Sequence, residues 1–333
     1  MRKTIIIFNV AASSGGALTI LNQYYNKALE DKDNNYIFVI STPKLKETNN
    51  IKVLKYPWVK KSWLHRLWFD KFFTSKIINK ENPTEILSLQ NTYIKNKKKL
   101  KQTIYVHQPL PFTPIKMSLV TDFKMWIYQN VIGKIIKRSI NKSNKVIVQT
   151  KWMKEAVLSK TKIEKENILI QHPPINIPKG YVYNSNYDNL FFYPAIATKY
   201  KNHRIIIEAS KILKEKDINN YNIEFTLNGN ENKHISKLKK ECVKYDLPIK
   251  FIGSLSYEEV MEKYSKSVLL FPSYIETFGL PLLEAKTIGS PIIASDTPFS
   301  KEITSNYNNV NYFDYSDEIK LAKLMIKQIG KMK

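Results

Sequence analysis

Phe271-Pro-Ser-Tyr-Ile-Glu276-Thr-Phe278-Gly279-Leu280-Pro281-Leu-Leu-Glu284-Ala285 decides how the rest of this 333-residue chain is read. The residues before it, Ser267-Val-Leu-Leu-Phe271, form a short apolar run that reads as a buried strand. Pro272 and Ser273 end that strand, and Glu276, Phe278 and Gly279 lie on the loop that follows. Pro281 suits the first position of a helix, where a backbone N–H is not needed. Leu282, Leu283 and Ala285 continue the helix, and Gly289 stops it. Pro291-Ile-Ile-Ala-Ser295 is the next strand. Strand, loop, helix and strand in this order make the crossover unit of a parallel sheet.

Two carboxylates flank the start of that helix, Glu276 on the loop and Glu284 about one turn in. Free N–H groups at a helix start attract phosphate. Carboxylates beside a diphosphate would repel it, so these two are read as acceptors for ligand hydroxyls. A ligand with a diphosphate in the middle and hydroxyls at both ends, such as a nucleotide sugar, fits. From the spacing alone, two solvated surface charges are the simpler reading. The letters around it are more specific. Phe-Pro-Ser-x-x-Glu-x-Phe-Gly-Leu-Pro-Leu-Leu-Glu-Ala resembles the signature of family 4 retaining glycosyltransferases. That resemblance implies the GT-B fold, α/β with two doubly wound Rossmann-like domains facing a central cleft.

The composition is compatible with that reading. An apolar fraction of 43% supports real cores and argues against disorder. Two domains are natural at this length. Cys242 is the only cysteine, so no disulfide forms within the chain and a reducing compartment is inferred. Met1-Arg2-Lys3 and Thr4–Val10 imitate a signal peptide, but the apolar run is short and leads into Ser13-Ser14-Gly15-Gly16, so a first strand is expected. No stretch approaches the roughly 18–20 apolar residues of a spanning helix, and the chain is expected to be soluble or peripheral. The formal charge of +24 favours anionic partners. Part of it has a plainer source, since the chain is rich in Lys, Asn and Ile, as an AT-rich coding sequence would make it.

Strands alternating with helices run through both halves and imply parallel sheets. Strands are expected at Thr4–Val10, Tyr36–Ser41, Ile51–Tyr56, Glu85–Leu89, Thr103–His107, Lys145–Gln149 and Asn167–Gln171. The second series is Leu190–Tyr193, Glu224–Leu227, Ile249–Ile252, Val268–Phe271, Pro291–Ser295 and Asn311–Phe313. The stretch from Ile170 to Asp188 has the prolines, glycine and polar residues of a linker. The domains are therefore placed at 1–178 and 179–315. An amphipathic helix follows at 316–333, which in GT-B proteins often crosses back to the first domain.

Trp58–Lys80 and Ile115–Lys142 interleave aromatic and apolar residues with Lys and Arg. In the first, Trp63, Leu67 and Phe72, with Leu64, Trp68 and Phe69, can build one helical face. Such a helix suits an anionic lipid surface, and it equally suits a core helix with a solvated basic face.

The remaining site residues follow from position and from the resemblance. Gly15-Gly16 lies between the first strand and first helix, where glycines admit a phosphate. It is not a Gly-x-Gly-x-x-Gly dinucleotide fingerprint, and by itself it could be a plain turn. His107 ends a strand in Tyr105-Val-His-Gln-Pro-Leu-Pro-Phe112, similar to the strand-end histidine segment of family 4 enzymes that build bacterial surface polysaccharides. Taken alone it would most simply be structural. The resemblance implies that Glu284 holds the ribose hydroxyls, and that Glu276 with the backbone of Phe278, Gly279 and Leu280 holds the transferred sugar. It also implies that Lys201 and the Gly15-Gly16 amides meet the diphosphate, that the Gly229 turn edges the base, and that His107 faces sugar and acceptor. The family has an arginine where this chain has Ile196, so Lys199 would have to supply the missing charge or the site is built differently.

The implied activity is metal-independent, cofactor-free retaining transfer of a hexosyl group from a nucleotide sugar to a glycan acceptor. That acceptor is expected to be lipid-linked, with the enzyme peripheral on an anionic membrane surface at the inner, cytoplasmic face. Two other readings stay open. One is a GT-B relative without transfer, an epimerase or a silent scaffold. The other is a basic nucleic-acid-binding protein, disfavoured because no zinc, basic-zipper or RNA-recognition signature is present.

Overall fold

The computed structural model describes residues 2–13, 15–174, 177–178 and 180–330. Ser14 of the glycine loop, Ile175, Asn176 and Lys179 of the expected linker, and residues 331–333 of the tail lie outside them. The chain divides into two compact units, Met1–Pro174 and Ile175–Lys333, close to the boundary expected after residue 178.

The first unit runs β1 (Thr4–Asn9), α1 (Gly15–Glu30), β2 (Asn35–Ile40), β3 (Ile51–Lys55), α2 (Trp63–Trp68), α3 (Thr74–Glu81), β4 (Glu85–Ser88), β5 (Lys101–Tyr105), α4 (Phe123–Ile127), α5 (Gly133–Ile140), β6 (Lys145–Val148), α6 (Lys151–Leu158) and β7 (Ile168–Ile170). Its strands form one sheet in the order β3-β2-β1-β4-β5-β6-β7, every pair parallel. Both faces are covered, which is why these strands are continuous apolar runs rather than alternating ones. On one face Ile6, Phe8 and Val10 pack with Ile86, Val59 and Phe69. On the other, Ile7, Phe38 and Ile40 pack beneath Ile20, Leu21 and Ala28 of α1.

The two aromatic-basic segments are each a helix interrupted by a π-turn, Phe69–Phe73 between α2 and α3, and Tyr128–Ile132 between α4 and α5. A π-turn rotates the residues beyond it relative to those before it. Of the six residues expected on one face over 63–72, Phe69 alone turns inward. Phe69 is wholly buried among Tyr56, Trp58 and Phe73, whereas Trp63, Leu64, Leu67, Trp68 and Phe72 are exposed. The second segment likewise buries Ile136 and Ile140 and exposes Phe123, Tyr128, Val131 and Ile135.

The second unit runs β8 (Leu190–Tyr193), α7 (His203–Glu215), β9 (Asn222–Phe225), α8 (Lys233–Lys244), β10 (Ile249–Phe251), α9 (Tyr257–Ser265), β11 (Val268–Phe271), α10 (Leu280–Ile288), β12 (Ile292–Ser295), α11 (Pro298–Ile303), β13 (Val310–Phe313) and α12 (Glu318–Ile329). Its sheet order is β10-β9-β8-β11-β12-β13, again all parallel. Helix α10 starts at Leu280, one residue before Pro281, and ends at Gly289 with φ 89°. Ser256 and Glu259 form the capping box expected at the head of α9. Helix α12, the expected tail helix, packs on α7, β12 and β13 of its own unit through Leu321, Ala322 and Met325.

In each sheet the chain order reverses once, at β1/β4 and at β8/β11. Loops leaving the carboxyl ends of such strand pairs diverge to opposite faces, and the crevice they leave is where open α/β sheets take ligands. The sequence-predicted residues Gly15 and Gly16 follow β1, Lys199 and Lys201 follow β8, and Glu276, Phe278 and Gly279 follow β11.

Candidate active site

In the second unit the loops after β8 and β11 are stitched together. Tyr193, the last residue of β8, is fully buried. Its hydroxyl donates to the Lys201 carbonyl at 2.6 Å and lies 2.9 Å from Ser273 Oγ. A phenol has one proton to give, so the Ser273 hydroxyl is the donor in the second bond. Asn202 adopts the left-handed conformation, φ 59°, and its Nδ2 donates to the Tyr315 carbonyl at 2.8 Å. Tyr274 N–H donates to the Tyr200 carbonyl at 3.1 Å.

That frame brings Lys201 and Glu276 together. The Lys201 ammonium is paired with Glu276 Oε1, and the two side chains are only 13% and 16% exposed. The ammonium also stands over the Phe271 ring, 6.0 Å from its centroid. Sequence reading placed these residues in one site but assigned them to different parts of a ligand. Their contact across 75 residues depends on β8 and β11 being neighbours, which no local pattern states.

Beyond Glu276 the chain turns through Gly279 at φ 88°, a region few side chains tolerate. A Cβ there would also stand 3.1 Å from Leu282 Cδ1. Phe278 is buried beside it, and no side chain caps the start of α10. Glu284 faces α9, where the Tyr264 hydroxyl donates to its Oε2 at 3.1 Å. Burial outweighs that hydrogen bond and pushes the Glu284 carboxyl up to about 7. It is thus a poorly hydrated acceptor with one protein donor.

The other expected donor residues are less alike. Lys199 is exposed, and Ile196, in place of the family arginine, is 63% exposed on the same loop. Gly229 has φ 89°, and its N–H is already taken by the Glu231 carboxylate at 3.1 Å. Glu231 also accepts from Asn228 N–H, and Lys239 covers the turn by donating to the Asn228 carbonyl at 2.9 Å. Glu231 was missed by the sequence reading, although an acid two residues past a glycine turn is a recognisable signal. His203 was missed too. It is buried at the start of α7 between the Tyr193 and Phe225 rings, with centroids 4.9 and 5.1 Å away. Burial, then the positive charge of Lys201, hold it neutral by pushing it down to about 3.

In the first unit, Gly15 opens α1 at φ 59°, and neither Gly15 nor Gly16 is crowded. His107 follows β5 and leans on the loop after β4. Its backbone N–H donates to Asn91 Oδ1 at 2.7 Å, and the ring Nε2 lies 3.2 Å from the Leu89 carbonyl. Burial pushes its basicity down, so the ring is neutral. Lys60, from the first aromatic-basic segment, reaches the carbonyl of Ala11 and Ser13 Oγ on the β1–α1 loop.

The sequence reading found no Asp-x-Asp metal motif, but Asp31-Lys32-Asp33 has that spacing. Asp31 is spent on local structure, accepting from the N–H groups of Asp33 and Asn34 and from the Tyr36 hydroxyl. Among the described residues no three His, Cys, Asp or Glu side chains gather as a metal site.

Two doubly wound parallel sheets of seven and six strands, with ligand-type loops at each reversal of chain order, make this a GT-B fold. Residues 182–330, most of the second unit, match the model of the family described as glycosyl transferases group 1. The O-antigen chain mannosyltransferase RfbU of Salmonella typhimurium is 24% identical over 208 residues, 62% of this chain and 55% of the relative, so the match spans about half of that protein's length. Sucrose-phosphate synthase from Thermosynechococcus elongatus superposes with a TM-score of 0.74 at 15% identity, covering 99% of this chain and 90% of its own. Anabaena Alr3699/HepE, solved in complex with UDP-glucose, does so with a TM-score of 0.70 at 12% identity, covering 99% and 90%. At these identities the likeness is one of fold.

Proposed function

We propose that the protein is a retaining glycosyltransferase that moves a sugar from a nucleoside-diphosphate sugar to a hydroxyl of a glycan acceptor, without a metal ion. The observation that carries this reading is the constellation at the β8/β11 reversal. It combines a cation (Lys201), a carboxylate beside it (Glu276), the side-chain-free start of α10, and a second desolvated carboxylate (Glu284) further along the helix. This is the order of charges a nucleotide sugar needs. Glu284 accepts from the ribose hydroxyls. Lys201, with exposed Lys199, meets the diphosphate. Glu276 and the backbone of Phe278, Gly279 and Leu280 hold the sugar. Charge grows on the leaving diphosphate as the glycosidic bond breaks, and a fixed cation there stabilises the transition state more than the ground state. In the first unit Gly15 and Gly16 are assigned to the diphosphate and neutral His107 to the sugar and acceptor.

The family match over residues 182–330 and the fold shared with a UDP-glucose complex support the donor class. The relative that acts on O-antigen chains supports a surface-polysaccharide acceptor. A lipid-linked acceptor at an anionic membrane face is supported by the exposed Trp63, Leu64, Leu67, Trp68 and Phe72 among Lys60, Lys61, Arg66 and Lys71. No helix among the described residues is long and apolar enough to cross a membrane.

The test is thermal unfolding of the purified chain with a panel of nucleotides and nucleotide sugars. A ligand at about a hundred times its dissociation constant adds roughly 2.7 kcal/mol. A rise with one nucleoside-diphosphate sugar, lost in Glu284→Ala, is the expected result. Absence of any rise with every member of the panel refutes the donor assignment.

A further inference from the structure

Resting on the donor assignment above, we infer that the Lys201–Glu276 pair is a selectivity lock that discriminates against free nucleoside diphosphate in favour of the sugar-bearing donor. In the unliganded chain the ammonium and the carboxylate neutralise each other inside the β8 and β11 loops, with both side chains largely out of water. The loops cannot easily move apart to separate them. The Tyr193 hydroxyl ties the Lys201 carbonyl to Ser273, and Ser295 Oγ donates to the Ser273 carbonyl behind it.

Any anion that reaches Lys201 must therefore take the ammonium from Glu276. What happens next depends on what else the ligand carries. A nucleoside-diphosphate sugar brings hydroxyl donors to the carboxylate it has displaced, so Glu276 exchanges one partner for another. A nucleoside diphosphate brings only negative charge. It leaves Glu276 without its cation in a site of low water content, next to a like charge, and both effects oppose binding. The pair thus couples recognition of the phosphate to recognition of the sugar. Among the described residues the only other lysine on the β8 loop, Lys199, is exposed, so it offers the product a weaker, solvent-screened substitute.

The chemistry also gives the lock a use. Transfer leaves the nucleoside diphosphate in the site after the sugar has gone. Glu276, freed of sugar hydroxyls at that moment, competes for Lys201 and helps expel the product. Both requirements come from one carboxylate, so they are separable from folding by an isosteric change.

Isothermal titration of the full chain and of Glu276→Gln with UDP, GDP and ADP, and with UDP-glucose and GDP-mannose, tests this. Glutamine keeps the shape and hydrogen-bonding capacity but neither neutralises Lys201 nor repels phosphate. The expected result is that the nucleoside diphosphate the wild type binds is held on the order of tenfold more tightly by Glu276→Gln. The corresponding sugar nucleotide should gain less or lose, and the gain should vanish in Glu276→Gln/Lys201→Ala. Glu276→Ala repeats the comparison if the glutamine variant does not melt like the wild type. Diphosphate affinity that is unchanged or weakened in folded Glu276 variants overturns the lock while leaving the donor site standing. Failure of every nucleotide to bind wild type and variants alike overturns the donor assignment, and the lock with it.

Discussion

Replacing Glu284 by glutamine should make the protein more stable at alkaline pH while removing its nucleotide affinity. Burial raises this carboxyl from 4.5 to about 7, with the Tyr264 hydroxyl only partly compensating. The native state therefore holds a proton that the unfolded chain has already released. Below pH 4.5 both states are protonated and the site contributes its full stability. As pH rises from 4.5 through 7 the native state binds more protons than the unfolded one, so stability falls. At about 1.36 kcal/mol for each tenfold change in proton affinity, the loss by pH 8.5 has a ceiling of about 3 kcal/mol. Glutamine has the shape of the protonated acid and still accepts from Tyr264, but it never ionises. Urea unfolding followed by circular dichroism at several pH values should show the two proteins converging near pH 4.5 and Glu284→Gln ahead at pH 8.5. Nucleotide affinity of the wild type should climb as pH passes 7, since ribose hydroxyls need the ionised acceptor, and that climb should be missing in the variant. A stability difference that does not change with pH would refute the reasoning, because it would place the carboxylate in water.

Tyr193→Phe removes the bridge between the Lys201 carbonyl and Ser273 and leaves buried polar atoms unpaired, so about 1–3 kcal/mol of stability should be lost in urea unfolding. Gly279→Ala places a side chain at φ 88°, 3.1 Å from Leu282 Cδ1, and should cost about 1–3 kcal/mol together with the affinity for sugar nucleotide, read by calorimetry. Co-sedimentation should find the protein on vesicles containing phosphatidylglycerol and not on phosphatidylcholine alone. Trp63→Ser/Leu64→Ser should weaken that binding severalfold with little change in the melting temperature, because both side chains are mostly exposed in the folded chain.

The strands were legible because each is a short apolar run closed by turn residues, and a strand buried on both faces needs nothing further. Val268–Phe271 is such a run, and so is Leu190–Tyr193. Helix ends with chemical markers were legible too, as at Ser256 and Gly289. Neither π-turn left a mark. Inserting one residue per turn does not alter the apolar content of 63–81, and that content does not say that Phe69 enters the core while Trp68 stays outside. The motif residues of the candidate site were readable singly, since Glu276, Gly279 and Glu284 lie in one unbroken stretch. Lys201 was readable only as a cation at the head of a helix. Its partner is set by sheet order, and sheet order is a property of the whole unit. His203 was hidden for a related reason, because its place is defined by two aromatic rings from different strands.

The reversal of strand order also shapes how the chain comes together. In both sheets the pair at the reversal joins strands far apart in sequence. Thr4 meets Thr84 across 80 residues at β1/β4, and Phe191 meets Val268 at β8/β11. The other strand pairs close over much shorter stretches. Long closures wait longest, because the chain must forfeit more freedom before any contact rewards it. The first unit is continuous in sequence up to Pro174, so all seven of its strands leave the ribosome before β8 does. Within each unit the central seam carries the largest closure cost of any strand pair. The loops that would grip a nucleotide thus sit on the most expensive pairing of each unit, and a chain that lacked that seam would keep most of its strand pairs and lose its binding site.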